Sequence, residues 1–309
     1  MITVVLASIE SKATIAASVR GFLDELGSRG RVLVADASRD GSAACVPSGV
    51  EVTSHAPGTL APELWREGLV RSNSDLVAFS TTQMMPRDGW LDGLLARLNS
   101  SEASGVGGPI AAGSGLSAVD RALYLLRYAS YLPPVPESSM FAPPGDNAIY
   151  RRADLDAIDS SWRDGFWEVE VHSALRAIGK SVTMASGAIV VFAGGCRFRS
   201  ALSHRLAHAR RYGAGRSEGL GLAARLGRSL ASPLVPPLLL TRIVRNLRSR
   251  GEPLGDWVSA MPYLGALLAT WSFGEAWGTV AMHSSCRQRQ PQLECEATLE
   301  MVPSRVGSR

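Results

Sequence analysis

Three groups of residues in this chain are of types that do chemistry. The first is Glu168, Glu170 and His172 in DGFWEVEVHSALRAIGKSV. Glu168, His172 and Leu175 fall at i, i+4 and i+7, so a helix opening near Glu168 carries them along one side. A carboxylate at a helix N-terminus is stabilised as the anion by the helix dipole, which predicts an ionised Glu168 at neutral pH. The same position also suits an acid that only steadies its helix, and a lone helix histidine is more often packed than reactive. The second group is the loop Asp36-Ala37-Ser38-Arg39-Asp40-Gly41, whose Asp, Ser and Gly serve equally as turn formers. The third is arginine: between Cys196 and Arg250 twelve arginines meet one acid, Glu218. That imbalance suits an anionic partner, either phosphates of a ligand or lipid headgroups, or else a solvated basic helix surface. Nucleic acid is disfavoured, because no recognition module accompanies the arginines. His204 and His208, at i and i+4, lack the adjacent Glu of a zincin motif. Cys45, Cys196, Cys286 and Cys295 form no C-x-x-C pair, which argues against a cysteine zinc site and suits a reducing cytosol.

The elements that must position these residues read as alternating strands and helices. Ile2 to Ile9 form a strand rather than a signal peptide, since no basic region precedes the apolar run and Glu10 breaks it. Ser11 to Leu26 carry helix-spaced apolar residues ending at Gly27, and Arg31 to Ala35 make a second strand, so the start is a βαβ unit with a parallel sheet. After a short strand at Val50 to Thr53, HAPGTLAPELWREGLVRSNS gives a Gly-containing loop and a helix on which Trp65 reads as core packing. Leu76 to Phe79 are apolar without alternation, as in a central strand covered on both faces. Thr81-Thr82-Gln83 then follow at the carboxyl end, where open α/β sheets bind ligands. Trp90-Leu91 open a helix through Leu98, Gly105 to Ile110 read as one strand, and Val182 to Phe192 as the last strand region. The proline-rich stretch within 114–144 is expected to be a lid or an acceptor-side loop.

Several of these stretches together resemble family 2 glycosyltransferases. The apolar strand before Thr81, followed by Pro86 and Gly89-Trp90-Leu91, is similar to the centre of that family, in which Asp-x-Asp stands where Thr81-Thr82-Gln83 stand here. DASRDGS resembles the family's Asp-x-Ser-x-Asp-Gly loop, and Gly145 to Arg152 its Gly-x-Asn-x-x-Tyr-Arg element. The likeness implies the GT-A fold, a mostly parallel central sheet flanked by helices, followed by a basic helical element. It also implies an inverting transferase that moves a sugar from a nucleotide diphosphate sugar to an acceptor hydroxyl. On it, Asp36 recognises the nucleotide, Asp40 shapes the turn, and Arg66, Thr81, Gln83, Arg211 and Arg216 lie along the donor. Trp90, Asn147, Glu170 and His172 fall on the acceptor side. Counting back from Gly179 through the family's Glu-Asp-x-Asp places Glu168 on the general base. Threonine and glutamine are neutral and hold a divalent cation poorly, so Mg²⁺ or Mn²⁺ is doubtful; the arginines could then neutralise the departing diphosphate. A degenerate, binding-only domain at the membrane is the alternative. A nucleotidyltransferase is weaker, since Ala7 to Lys12 lacks a Gly-rich basic loop.

The chain therefore divides into a transferase-like part over 1–195, a basic and apolar helical extension over 196–283, and a polar, disordered tail over 284–309. Two apolar blocks, 230–240 and 257–274, flank a basic segment. They suit a re-entrant or monotopic attachment to the cytoplasmic face of a membrane, with a glycan or lipid-linked acceptor, or a helical hairpin that covers the sheet.

Overall fold

The apolar run Ile2–Ser8 becomes β1, buried along its whole length and flanked on both sides by parallel partners. One is β2 (Gly30–Asp36), which pairs onward with β3 (Glu51–Ser54); the other is β4 (Leu76–Thr81). The structure, a computed structural model, describes residues 1–135, 142–217 and 219–281. Glu218, the centre of the proline-rich stretch, Cys286, Cys295 and the tail from 284 lie outside the described residues.

Helix α1 (Ile15–Leu26) connects β1 to β2, and α2 (Ala61–Arg71) connects β3 to β4. Strand β5 (Met84–Pro86) and α3 (Trp90–Asn99) follow, then β6 (Gly105–Gly107), β7 (Ile110–Ala112), α4 (Ala118–Tyr128), β8 (Asn147–Arg151), α5 (Arg152–Asp156), α6 (Glu168–Ala177), β9 (Val182–Met184) and β10 (Val190–Phe192). The main sheet has seven strands in the order β3-β2-β1-β4-β8-β6-β9, with only β8 running against its neighbours. Side chains alternate across it. Val4, Leu6, Val34 and Ala78 face a core shared with α1, α3 and α4, whereas Val5, Ala7, Leu33 and Phe79 face a second core with α2 and α6. A small sheet, β5-β10-β7, lies beside the first.

The stretch Gly105 to Ile110 thus splits between two sheets. Pro109 has no N–H to offer a ladder, and the Ile110 amide turns to the Tyr131 carbonyl, 2.9 Å away.

Four helices end the described chain: α7 (Phe198–Arg216), α8 (Leu222–Ala231), α9 (Val235–Ser249) and α10 (Met261–Val280). α7 and α10 touch backbone to backbone. A Cβ on Gly213 would lie 2.2 Å from the Glu275 carbonyl oxygen, and one on Gly278 would lie 2.0 Å from that of Arg210. Ile243, Leu247, Trp257, Leu264, Leu267 and Leu268 join the core on the α1 face of the sheet, with Trp257 stacked on Tyr124 at 5.7 Å. Much of the block 257–274 therefore packs against the sheet, while Val258 and Phe273 stay exposed. Among the described residues no helix is long and apolar enough to cross a membrane. Arg250 donates to the carbonyls of Ser130, Leu132 and Pro134, which ties the start of the proline-rich stretch to α9.

Candidate active site

Strand register brings the site together. Ser8, Asp36 and Thr81 end β1, β2 and β4 at one edge of the sheet. Because β8 runs antiparallel, with Asn147 opposite Ser80, Gly145 and Asp146 enter at that same edge. Gly145 lets Glu168 reach it: a Cβ there would lie 2.8 Å from the Trp65 ring and 3.3 Å from the Glu168 carboxyl carbon.

At one end of this edge sits Asp36. One carboxylate oxygen accepts from the hydroxyls of Ser8 at 2.6 Å and Ser38 at 2.7 Å. Ser8 and Ser11 hydroxyls are 3.0 Å apart, and Ser11 and Thr82 2.6 Å, so a hydroxyl chain runs from the loop to β4. Asp40 accepts from the amides of Lys12 and Ser42 and from the Ser42 hydroxyl. Burial pushes its pKa up, but these hydrogen bonds, with Arg197 nearby, outweigh it and hold it below the ordinary value. Asp40 is spent on loop geometry.

The Thr81 hydroxyl is buried without a hydrogen-bond partner, while the Gln83 amide donates to the Cys196 sulfur at 3.3 Å. Burial, then Asp120, pushes the Cys196 thiol up to about 12, so it stays protonated. The nearby carboxylates are already engaged, Asp120 by Ser117 and the Cys196 amide, and Asp146 by Arg127. Among the described residues no three His, Cys, Asp or Glu side chains gather as metal ligands. A hydroxyl, a primary amide and a neutral thiol make a poor donor set for Mg²⁺ or Mn²⁺.

At the other end stand Arg127, Asp146 and Glu168. The Arg127 guanidinium holds both oxygens of Asp146, at 2.8 and 3.0 Å. Asp146 is buried, while Arg127 keeps 36% of its side chain accessible. Glu168 begins α6, where the dipole predicts a firmly ionised acid, yet its pKa rises to about 7. Burial is the main cause; its own N–H and Arg127 pull the other way, and Asp146 and Glu170 add to the rise. Desolvation outweighs the dipole. A carboxylate poised near neutrality is matched to moving a proton.

Helix α7 closes this end with a ladder of cations and rings. Arg211 lies over Trp167 at 4.3 Å, Trp167 is 5.0 Å from His208, His208 is 6.3 Å from Trp271, and Arg205 covers Trp271 at 3.8 Å. Burial, then Arg205, pushes His208 down to about 3, so it is neutral. Burial and Arg127 pull Arg205 down to about 9, with Glu275 offsetting little, and its Nε has no hydrogen-bond partner. A guanidinium keeps its charge at neutral pH, so Arg205 is a cation short of an anion.

The remaining expected residues are placed differently. Trp90 is fully buried, edge-on to Phe22, and donates from its indole to Asn147 Oδ1 at 2.7 Å. The Asn147 amide donates in turn to the carbonyls of Pro109 and Ala188, so both residues clip the two sheets together instead of facing an acceptor. His172 is buried against the Tyr150 hydroxyl at 2.8 Å, and burial pushes it down to about 3, so it packs as a neutral ring. Arg216 is engaged by Tyr212 and Glu275. Arg66 pairs with Glu67 and keeps a buried, unpartnered Nε. Glu170 is exposed in the first turn of α6, and Trp65 is core, donating to the Ser80 carbonyl. Arg127 and Trp271 went unread in the sequence, and Asp146 and Arg205 fell inside stretches singled out there without a role of their own; for Arg127 the local signal was an arginine set in the apolar run Leu123–Tyr128.

No family model matches the chain, and no curated protein matches it. Among solved structures, a mannosyltransferase from Pyrobaculum calidifontis, in complex with GDP-Man and Mn²⁺, overlaps 89% of this chain and 87% of its own at 13% identity and a TM-score of 0.50. The chain shares that fold. S. aureus TarS 1–349 overlaps 89% of this chain and 90% of its own at 13% identity and a TM-score of 0.46. Glucosyl-3-phosphoglycerate synthase from Mycobacterium tuberculosis, in complex with Mn²⁺, UDP and phosphoglyceric acid, overlaps 68% and 76% at 16% identity and a TM-score of 0.45. The mostly parallel central sheet with its flanking helices is the architecture expected of the GT-A fold.

Proposed function

We propose that this chain is an inverting glycosyltransferase that takes a sugar from a nucleotide diphosphate and passes it to the hydroxyl of a glycan or lipid-linked acceptor, without a metal ion. The observation that carries the reading is Glu168 at the strand-end edge, held beside the Arg127–Asp146 pair, with Asp36 along the same edge. In the reaction the acceptor oxygen attacks the anomeric carbon from the face opposite the diphosphate, and the C–O bond to the diphosphate breaks. Glu168 takes the hydroxyl proton as the new bond forms. The nucleoside diphosphate leaves with the bonding electrons, and the growing negative charge falls among Arg127, Arg205 and Arg211. Arg205, a cation with little counter-charge, supports this role most directly. Asp36, fixed by Ser8 and Ser38, presents a rigid acceptor edge to the base of the nucleotide.

Neutral Thr81 and Gln83 favour a second reading, a domain that binds a nucleotide or glycan without transferring sugar. Isothermal titration against UDP, GDP and dTDP, each with Mn²⁺ and with EDTA, separates the two when repeated on Asp36→Ala and Glu168→Gln. The transferase reading expects one nucleotide to bind in EDTA, to be lost in Asp36→Ala and kept in Glu168→Gln, with that donor hydrolysed or transferred only when Glu168 is present. Binding without any turnover of the matching donor supports the second reading. No binding to any nucleotide sinks the donor-site argument and promotes the second reading in its glycan-binding form.

A further inference from the structure

Helix α8 buries none of its ten residues, although Leu222, Leu226 and Leu230 recur at i, i+4 and i+8 along one side of it. Leu222 is 69% exposed and Leu230 81%. The stripe runs on through exposed Leu234 and Leu238 into α9. Ser232 and Ser272 exchange hydroxyl-to-carbonyl hydrogen bonds at 2.7 and 2.8 Å, which seats the α8–α9 junction beside the middle of α10. There Phe273 and Trp277 stand exposed, edge to face at 5.7 Å, with Arg210 over the Trp277 ring at 4.1 Å. From 219 to 251 the sequence has no acid, and Arg228, Arg242, Arg245 and Arg248 are exposed around the apolar ridge.

We propose that this face docks on a bilayer containing anionic phospholipid. The leucines and Phe273 enter the acyl boundary, Trp277 lies at headgroup level, and the arginines meet the phosphates. A second copy of the chain is the poorer occupant, because a two-fold contact would set these arginines against their own equivalents. The chain beyond 281 is no better, with four arginines and three glutamates and hence no surplus of negative charge. The geometry also relates the face to the cleft. Trp271 faces His208 of the ladder, and Phe273, two residues on and roughly 200° around the helix, points the other way. One helix thickness, about 10 Å, separates the two sides. On the transferase reading a lipid-linked acceptor would arrive beside the cleft, but the docking does not depend on that reading.

The test is co-sedimentation of the full chain with vesicles of phosphatidylcholine alone and of phosphatidylcholine with phosphatidylglycerol. It is repeated on L226D/L230D and on R242Q/R245Q/R248Q, all at surface positions. The chain is expected to sediment with the anionic vesicles and to stay in solution with the neutral ones. The leucine variant should lose binding, and the arginine variant should weaken it by about 100-fold. Circular dichroism and nucleotide titration on the same variants should match the parent chain. Equal binding to both vesicle types, binding to neither, or binding indifferent to both variants overturns the proposal. So does a dimer in light scattering that L226D/L230D dissolves, which would assign the face to a second copy. Nucleotide binding that fails while vesicle binding persists would count against the transferase reading alone.

Discussion

At the Asp36 end of the cleft the carboxylate is held by Ser8 and Ser38, and the hydroxyls pass onward to Ser11 and Thr82. At the Glu168 end, Trp167 and Arg205 each hold a buried polar atom without a partner. Buried polar groups are nearly always satisfied, so such gaps cost free energy unless something fills them. The contrast separates two ways of building a site. The Asp36 loop is complete in itself and offers a fixed shape, whereas the Glu168 end is charged, tight and short of an anion. The first suits recognition of a flat base, and the second suits a diphosphate whose charge grows as the sugar leaves.

Replacing the proposed base tests the contrast hardest. Glu168→Gln should cut turnover by about 100- to 10,000-fold while leaving the nucleotide dissociation constant unchanged in titration. Next, Arg127→Gln should lower turnover by roughly 10- to 100-fold, the scale of one charge-assisted contact. It should also move the rising limb of the pH–rate profile above about 7, because Arg127 holds the Glu168 pKa down. An unmoved limb would detach Arg127 from the base. At the other end, Asp36→Ala should weaken nucleotide binding by about tenfold or more, with little change in turnover at saturating donor. Trp90→Phe should leave turnover within about twofold yet lower the melting temperature, since an unpaired Asn147 oxygen costs about 1–3 kcal/mol. A catalytic loss without destabilisation would return Trp90 to the acceptor side.

The smallest effect is one of sign. The Glu168 pKa is raised from 4.5 to about 7, so its contribution to stability is fully present below 4.5 and lost as pH rises through 7. Melting curves of the parent chain and of Glu168→Gln should therefore change relative to each other between those values. The variant should gain on the parent as pH rises and hold that gain above 7. A constant offset across the window would mean that Glu168 is well solvated.

Much of the fold was legible because its signals are local. The unbroken apolar run Leu76–Phe79 identifies a central strand, and helix-spaced Ile15, Val19 and Phe22 identify α1. Glu168 was readable as a helix N-terminal residue for the same reason, although its protonation was not: the dipole is written in the sequence, and desolvation by distant segments is not. Arg127 meets Asp146 across nineteen positions, and the ladder runs from Trp167 through His208 of α7 to Trp271 of α10, over a hundred positions on. No spacing rule spans such gaps. Trp90 and Asn147 erred the other way, since residues that match a binding motif also make good clips inside a buried seam.

The ladder from Arg211 through Trp167 and His208 to Trp271 and Arg205 has a consequence for how the protein is made. Chains leave the ribosome from the N-terminus and fold as segments emerge. The strands carrying Asp36 and Thr81 are complete long before α10 exists, and the ladder that flanks Glu168 is finished only when α10 packs across α7. A nascent or C-terminally shortened chain would hold the Asp36 loop and Glu168 with Arg205 still lacking its Trp271 partner, and on the proposed function such a copy would turn over donor poorly.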